Sequence, residues 1–332
     1  MIIFWSVVFI ISLITLVKGA DWLVESSEKI GLAIGISPFI VGVTIVGIGT
    51  SFPELVSSLV ATLKGVTDVA AANAIGSNIA NILLIVGLSA LIGKRLVVTK
   101  SLIDLDLPLL AITTVLLLGI VWDQKINLGE SILMLITYGI YLLYTIFHKD
   151  TEDDTPEIIE ILPSRKERRK NVATPEKKNL VRPKLIIKDF LFLILGIVGL
   201  FFGAEYLIDA LVNLSTTLKI GTGVITITAI AVGTSLPELL VSVRAAFQKK
   251  SEIALGNIFG SNVFNALVVV GFPGLFHLLT VDNQTFTVGV PTMALTTLLF
   301  VISGISRRIH NWEGAFYISL YALFIVKLFN WF

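Results

Sequence analysis

Two glutamates lie well inside apolar stretches of the sequence, where a charged side chain is costly. Glu54 falls within residues 37–62 and Glu238 within residues 222–247, with no lysine or arginine beside either one. An ionised carboxylate in such surroundings is expected to be paired, solvated or bound to a cation. We interpret both residues as cation ligands. The alternative is a protonated glutamate that hydrogen-bonds to a neighbouring helix.

Hydroxyl and amide side chains accompany each glutamate at helical spacing. Thr50 and Ser51 precede Glu54 by four and three residues, which places all three on one helix face. In the next apolar stretch, Ser77 and Asn81 are again four residues apart. The second copy of this pattern consists of Thr234, Ser235, Ser261 and Asn265.

A proline precedes each glutamate and is expected to interrupt its helix. Pro53 and Pro237 lack an N–H and clash with the carbonyl four residues back, which frees the carbonyls of Gly49 and Gly233. Two further carbonyl donors are expected slightly earlier in the chain, at Gly47 and Ala231. Carboxylate, hydroxyl, amide and carbonyl oxygens, without histidine or cysteine, favour Na⁺ or Ca²⁺ over zinc or copper.

The composition predicts an integral membrane protein around these residues. Of 332 residues, 55% are hydrophobic and 15% are charged, whereas soluble domains have about 25% charged residues. Nineteen of the 49 charged residues lie between Lys149 and Lys188, so the remainder is still more apolar. A soluble globule and a disordered chain are both excluded. A net charge of +1 argues against nucleic acid as a partner, and the absence of cysteine excludes disulfides and thiolate sites.

Ten apolar stretches are long enough to cross a bilayer as helices. They cover residues 2–24, 37–62, 68–93, 101–121, 128–148, 186–212, 222–247, 252–279, 286–304 and 312–331. With both termini outside, the inward loops hold nineteen Lys and Arg residues and the outward loops hold three. This bias predicts a multi-pass protein of the cell membrane with both termini outside and a cytoplasmic central loop.

The two halves of the chain repeat each other. A shift of 184 residues aligns 19–91 with 203–275 without a gap and gives 23 identities in 73 positions. The strongest blocks are GTSFPEL with GTSLPEL, and NAIGSNIAN with NIFGSNVFN. Because each half has five spans, the second half must enter the membrane from the opposite side. We therefore predict an all-α membrane protein of two inverted five-helix halves, at 1–148 and 186–332, joined by a charged linker at 149–185. The repeats occupy about 37–93 and 222–279.

These paired motifs resemble the two repeats of the sodium/calcium exchanger (cation/calcium antiporter) superfamily. The ten spans and the central loop fit as well, so the resemblance covers essentially the whole chain. It implies antiport of Ca²⁺ against Na⁺, or against H⁺ in some branches, by alternating access. By position, it implies that Glu54 and Glu238 are the central ligands. The resemblance completes the ion sites with Thr50, Ser51, Ser77, Asn81, Thr234, Ser235 and Ser261, and with the carbonyls of Gly47 and Ala231.

Asn265 departs from the family pattern, because well-studied exchangers commonly carry an aspartate at this position. We keep Asn265 as a candidate ligand through its amide oxygen. The site then holds two formal negative charges instead of three, which balance one Ca²⁺ or two Na⁺. The counter-ion and the stoichiometry therefore stay open.

The expected function is exchange of Ca²⁺ for Na⁺, with spans 2, 3, 7 and 8 as the ion-binding core and spans 1 and 6 sliding against it. The ions are substrates; no cofactor, nucleic acid or obligate protein partner is expected beyond the lipid bilayer. A proton-coupled or other cation antiporter is the first alternative, and a passive cation channel is more remote. An enzyme is not expected, because no nucleophile or metal-ligand set accompanies the glutamates.

Four other polar residues in the repeats have less certain roles. Asp21 and Glu205 match across the repeats and are expected to cap or anchor span ends. Asn78 and Asn262 leave a ligand role and a packing role open.

Overall fold

The computed structural model describes residues 2–93, 95–97, 106–147, 183–217, 235–306 and 308–328, and most of these are helical. The helices of the first half are α1 (Ile2–Ile34), α2 (Pro38–Val41), α3 (Gly47–Thr50), α4 (Phe52–Leu63), α5 (Val69–Ala80), α6 (Gly87–Gly93), α7 (Leu107–Ile120) and α8 (Leu128–Phe147). Those of the second half are α9 (Ile187–Thr217), α10 (Leu236–Phe247), α11 (Ser251–Phe264), α12 (Val290–Ile305) and α13 (Asn311–Leu328).

Wide π-helical turns make several of these helices continuous. They occupy Gly42–Val46 between α2 and α3, Asn81–Val86 between α5 and α6, Asn265–Val269 after α11, and Thr285–Gly289 before α12. Single π turns inside α-helices are frequent at functional sites. Here two of them begin at Asn81 and Asn265, which are corresponding positions of the two repeats.

The helical membrane fold is confirmed. Within the described residues, seven helical segments are long and apolar enough to cross a membrane. They are Ile2–Ile34, Pro38–Leu63, Val69–Gly93, Leu128–Ile146, Ile187–Ala210, Ser251–Leu275 and Thr285–Ile305. The shorter helices α7, α10 and α13 lie in the other three predicted spans. The first part of predicted span 7, residues 222–234, lies outside the described residues, as do residues 149–182 of the linker.

Short loops gather at the two ends of the helix bundle. At one end, β1 (Arg95–Val97) pairs with β4 (Arg308–His310), and Lys250 forms an ion pair with Glu28. At the other end, β2 (Lys125–Ile126) pairs with β3 (Leu279–Thr280), and Thr280 also hydrogen-bonds to Thr67. The hairpin loop of the first repeat, which contains Thr67, therefore lies at the opposite end from the loop of the second repeat, which contains Lys250. This arrangement agrees with the predicted inversion.

The segment Ser251–Leu275 lies at the centre of the bundle, and its most hydrophobic stretch of 18 residues is completely buried. It packs backbone to backbone against the π turn after α2. A Cβ atom added at Gly260 would come within 2.1 Å of the carbonyl oxygen of Val43, and one at Gly256 within 2.4 Å of the carbonyl oxygen of Phe39. Glycine at these positions thus allows the two repeats to meet closely at the centre.

The long helices α1 and α9 lie at the periphery and pack along each other. They approach each other closely at Gly196, where an added Cβ would lie 2.8 Å from the backbone nitrogen of Leu23. Many of their outward side chains are exposed hydrophobic residues, such as Ile10, Ile14 and Phe202, as expected of helices that face lipid.

Candidate cation site

The two glutamates occupy equivalent places at interrupted helices. Ser51 and Ser235 have nearly the same backbone angles (φ −87° and ψ 3°, φ −89° and ψ 10°), and each precedes a helix with proline in its first turn. Glu54 and Glu238 lie in that first turn of α4 and α10, where the positive end of the helix dipole favours a negative charge. In the first repeat, Ser51 separates α3 from α4, so the predicted interruption is confirmed there, and its local cause is the proline. The residues directly before Ser235 lie outside the described part of the chain.

Both carboxylates are completely buried, and most of their oxygen atoms have no partner among the described residues. Within that part of the chain, both oxygens of Glu54 and Oε2 of Glu238 accept no hydrogen bond, while Oε1 of Glu238 accepts one from the hydroxyl of Ser51 at 2.8 Å. The two side chains lie close enough for their negative charges to repel each other. Burying anionic oxygens without partners costs free energy, and so does bringing two negative charges together. A cation placed between the two carboxylates would remove both costs.

Hydroxyl groups from both repeats meet around the glutamates. Besides the bond from Ser51 to Glu238, the hydroxyl of Ser235 lies 3.3 Å from that of Ser77. The hydroxyl of Thr50 lies 3.4 Å from that of Ser261, which in turn lies 3.4 Å from the carbonyl oxygen of Gly47. Each of these contacts joins one repeat to the other, so the structure brings these predicted ligands together at the interface of the halves.

The asparagines of the two π turns contribute amide groups to the same interface. Asn265 is buried, and no described residue pairs with its Oδ1 or Nδ2 atom or with Oδ1 of Asn81. Asn81 donates through Nδ2 to Oδ1 of Asn262 at 3.1 Å, and Asn78 donates to the backbone carbonyl of Asn262 at 3.1 Å. Asn78 and Asn262 thus connect the helices of the two repeats, which is the packing role that the sequence left open.

Two of the predicted ligands, Thr234 and Ala231, lie outside the described residues. In the part of the chain that the structure describes, no group of three or more His, Cys, Asp or Glu side chains could hold a metal ion. The donors are therefore two carboxylates surrounded by neutral oxygens. This set fits Na⁺ and Ca²⁺, which accept mixed oxygen ligands, and offers nothing specific to a transition metal.

Sequence analysis missed two asparagines that hold the glutamate helices in place. Asn73 donates to the backbone carbonyl of Glu54 at 3.3 Å and to the hydroxyl of Ser58 at 3.0 Å. Asn257 makes the same contacts in the second repeat, to Glu238 at 3.4 Å and to Ser242 at 2.8 Å. The available signal was their identity across the repeats, at the first position of the blocks NAIGSNIAN and NIFGSNVFN.

The expected role of Asp21 at a span end is wrong. The first helix continues to Ile34, so Asp21 lies inside it and forms an ion pair with Arg244 of α10. Arg244 binds both carboxylate oxygens of Asp21, and Gln248 donates a further hydrogen bond at 3.3 Å.

Two more ion pairs continue this contact along α1, from Lys250 to Glu28 at 2.7 Å and from Lys29 to Asp189 at 2.8 Å. Together with the pair of Asp21 and Arg244, we call them the α1 ion pairs. They tie α1 to the core helix α10, to the loop after it and to the start of α9.

Comparisons with known proteins agree with this arrangement. The family model described as sodium/calcium exchanger protein matches residues 4–147 and 188–330. The sodium/calcium exchanger MaX1 of Methanosarcina acetivorans is 31% identical over 345 residues, with 97% of each chain covered. The inner membrane protein YrbG of Escherichia coli is 30% identical over 298 residues, covering 90% of this chain and 87% of that protein. The solved structure of the sodium-calcium exchanger NCX_Mj, soaked without Na⁺ and Ca²⁺, superimposes with a TM-score of 0.79 at 30% identity, covering 99% of this chain and 100% of that one.

Proposed function

The chain belongs to the sodium/calcium exchanger protein family, and on that premise we propose that it is a secondary antiporter that exchanges Ca²⁺ for Na⁺ by alternating access. The family is one of membrane transporters and not a class of enzymes. The observation that carries the proposal is the pair of completely buried glutamates, one from each repeat, whose oxygens largely lack partners in the described part of the chain.

The proposed ligands are the carboxylates of Glu54 and Glu238 and the neutral oxygens around them. The neutral set consists of Thr50, Ser51, Ser77, Asn81, Thr234, Ser235, Ser261 and Asn265, with the carbonyls of Gly47 and Ala231. Two carboxylates neutralise either one Ca²⁺ or two Na⁺. The same site can thus bind either one Ca²⁺ or two Na⁺ but not both at once. An antiporter requires such mutually exclusive binding.

We propose that α1 and α9 slide against the core that carries the site. Three features support this movement. Both helices lie at the periphery, they pack mainly on each other, and an apolar cavity of about 410 Å³ is lined by Ile48 and Gly49 of the site helix and by Ile197 of α9. The α1 ion pairs lie at one end of the bundle only. They would hold α1 against α10 there and close the site toward that end.

The proposed topology places this end in the cytoplasm and both termini outside the cell membrane. The Lys and Arg bias supports this orientation, and the charged linker at 149–185 would then be cytoplasmic. The two halves at 1–148 and 186–332 would act as the units of the transport cycle.

The test is Ca²⁺ flux in proteoliposomes under gradients of Na⁺, H⁺ and K⁺ imposed one at a time, with empty liposomes as the control. The proposal predicts that an outward Na⁺ gradient drives Ca²⁺ uptake against its own gradient. If an H⁺ gradient alone drives uptake, the chain is a proton-coupled antiporter instead. If Ca²⁺ moves only down its own gradient whatever the counter-ion, it is a channel and the proposal fails.

A further inference from the structure

Asn257 lies directly behind the candidate ligands, and its contacts suggest a role that none of the ligand assignments includes. We propose that Asn257 is a positioning residue that takes up the hydroxyl hydrogen of Thr50. The lone pairs of the Thr50 oxygen can then face the cation, as can the lone pair of the Gly47 carbonyl that is not used by the N–H of Ser51. This inference rests on the proposed function, because it requires that Thr50 and Gly47 bind the transported ion.

The orientation of the Asn257 amide follows from its neighbours. Its Nδ2 atom donates to the hydroxyl of Ser242 at 2.8 Å and to the backbone carbonyl of Glu238 at 3.4 Å. A carbonyl oxygen can only accept a hydrogen bond, so the amide nitrogen must lie on that side. The Oδ1 atom of Asn257 therefore points the other way, toward Thr50, and it can only accept.

The hydroxyl of Thr50 has one hydrogen and several polar neighbours in the described part of the chain, including the carboxylate of Glu238. Oδ1 of Asn257 lies at 3.0 Å, the carbonyl oxygen of Gly47 at 3.3 Å, and the hydroxyl of Ser261 at 3.4 Å. Asn257 is the closest and accepts only, so it should hold the hydrogen. A hydroxyl binds a cation through its lone pairs, which requires its hydrogen to point away from the ion.

Loss of Asn257 would affect two ligands at once. The nearest remaining acceptor for the Thr50 hydrogen is the carbonyl oxygen of Gly47, which is itself a candidate ligand. If the hydrogen turned to Gly47, it would occupy that oxygen and reorient the lone pairs of Thr50. Asn257 therefore acts on the cation through Thr50 and does not need to touch the ion.

Asn257 also spans the two repeats. It belongs to α11 of the second repeat and contacts Thr50 of the first, while it fastens the backbone of Glu238. Among the described residues, its counterpart Asn73 contacts Glu54, Ser57 and Ser58 and does not contact Thr50. Asn73 thus provides a matched control that fastens a glutamate helix without a contact to Thr50.

The experiment is a double-mutant cycle of Asn257→Leu and Thr50→Val, read as the Ca²⁺ concentration that half-saturates exchange in proteoliposomes. Loss of one neutral hydrogen bond changes an equilibrium by about fivefold. We expect each single variant to raise the half-saturating concentration by about that factor or more, with little change in maximal rate. Without a Thr50 hydrogen to place, Asn257→Leu should lose only its contacts with Glu238 and Ser242, so the effect of the double variant should fall clearly short of the sum of the two single effects.

Two further variants separate positioning from packing. Thr50→Ser keeps the hydroxyl, so Asn257→Leu should cost as much in that background as in the wild type. Asn73→Leu combined with Thr50→Val should be additive, because these residues do not touch. If Asn257→Leu does not fold, Asn257→Ala removes the same acceptor without adding apolar bulk.

Additive effects of Asn257 and Thr50 would overturn the assignment, as would a loss of maximal rate without a change in half-saturation. Failure of both Asn257 variants to fold would make it a folding residue and would also overturn it. Glu238→Gln is measured beside them. Lack of Na⁺-driven Ca²⁺ uptake in the wild type would refute the proposed function itself, and exchange at the wild-type rate in Glu238→Gln would refute the proposed ion site. Loss of exchange in Glu238→Gln together with an additive cycle would refute only the role of Asn257.

Discussion

The α1 ion pairs make a prediction about the conformational equilibrium of the protein. If they close the site at their own end of the bundle, breaking the pair of Asp21 and Arg244 should favour the state that is open there. The perturbation is Asp21→Asn, which keeps the shape of the side chain and removes its charge. Arg244→Gln removes the charge on the other helix.

The size of the shift follows from the geometry of the pair. Arg244 binds both oxygens of Asp21, which is the strongest arrangement for such a pair, but the two side chains are 37% and 14% exposed. Solvent therefore screens part of the attraction, and about 1 kcal/mol is a reasonable value. This corresponds to about a fivefold change in the ratio of the two access states.

The absence of cysteine from the chain allows a direct assay. Val241 is completely buried on α10, one helical turn from Arg244 and three residues from Glu238. In a Val241→Cys background, a membrane-impermeant maleimide added from the side of Lys250 should label about fivefold faster once Asp21→Asn is introduced. Arg244→Gln should increase the labelling rate by the same factor. The double variant should label no faster than either single variant, because both remove the same ion pair.

Glu130→Gln is the matched control, because Glu130 caps α8 near the other end of the bundle through the backbone of Asn127. It removes one acidic charge and should leave labelling unchanged. Equal labelling rates in Asp21→Asn and in the parent would refute the reasoning. Faster labelling in the Glu130 control would show that the assay reports a general loosening of the fold.

Three other predictions follow from the site and the fold. Gly260→Ala should destabilise the protein by about 1–3 kcal/mol, because a Cβ there would meet the carbonyl oxygen of Val43; thermal unfolding in detergent measures this, with Gly119→Ala, which has open space around it, as the control. Asn265→Asp should make exchange more sensitive to acid, because a carboxylate can bind a proton in place of the cation and an amide cannot; parallel pH profiles of Ca²⁺ flux in variant and wild type would contradict this. Deletion of residues 152–180 should leave the flux unchanged, since the proposed ligands lie in the spans, and a folded but inactive variant would show that the linker takes part in transport.

Much of the site could be predicted because its causes are local in sequence. A proline in the first turn explains the break before Glu54 and the start of α10 before Glu238, and helical spacing explains which hydroxyls accompany them. The repeat added a second copy of the pattern and the inversion of its hairpin. These features depend on neighbours within about one turn of helix, which periodicity can report.

The remaining contacts could not be predicted, because they depend on how distant helices meet. Ser51 and Glu238 are 187 residues apart, and Asn257 lies 207 residues from Thr50. Asp21 was misjudged because its apolar stretch ends nearby, although the helix continues to Ile34 and brings Asp21 against Arg244. The π turns at Asn81 and Asn265 also leave no mark in the hydrophobic pattern, since they arise from packing in the folded bundle.

The most direct test of the central claim is Na⁺-driven Ca²⁺ uptake by Glu54→Gln and Glu238→Gln in proteoliposomes, compared with the wild type at equal amounts of folded protein. A carboxylate oxygen binds Ca²⁺ at about 2.4 Å, and even with the dielectric constant of water the lost attraction is about 3.5 kcal/mol, more than a hundredfold in affinity. If these two buried carboxylates hold the transported ion, each variant will move Ca²⁺ at less than about a tenth of the wild-type rate. Uptake above that level in either variant would contradict the account.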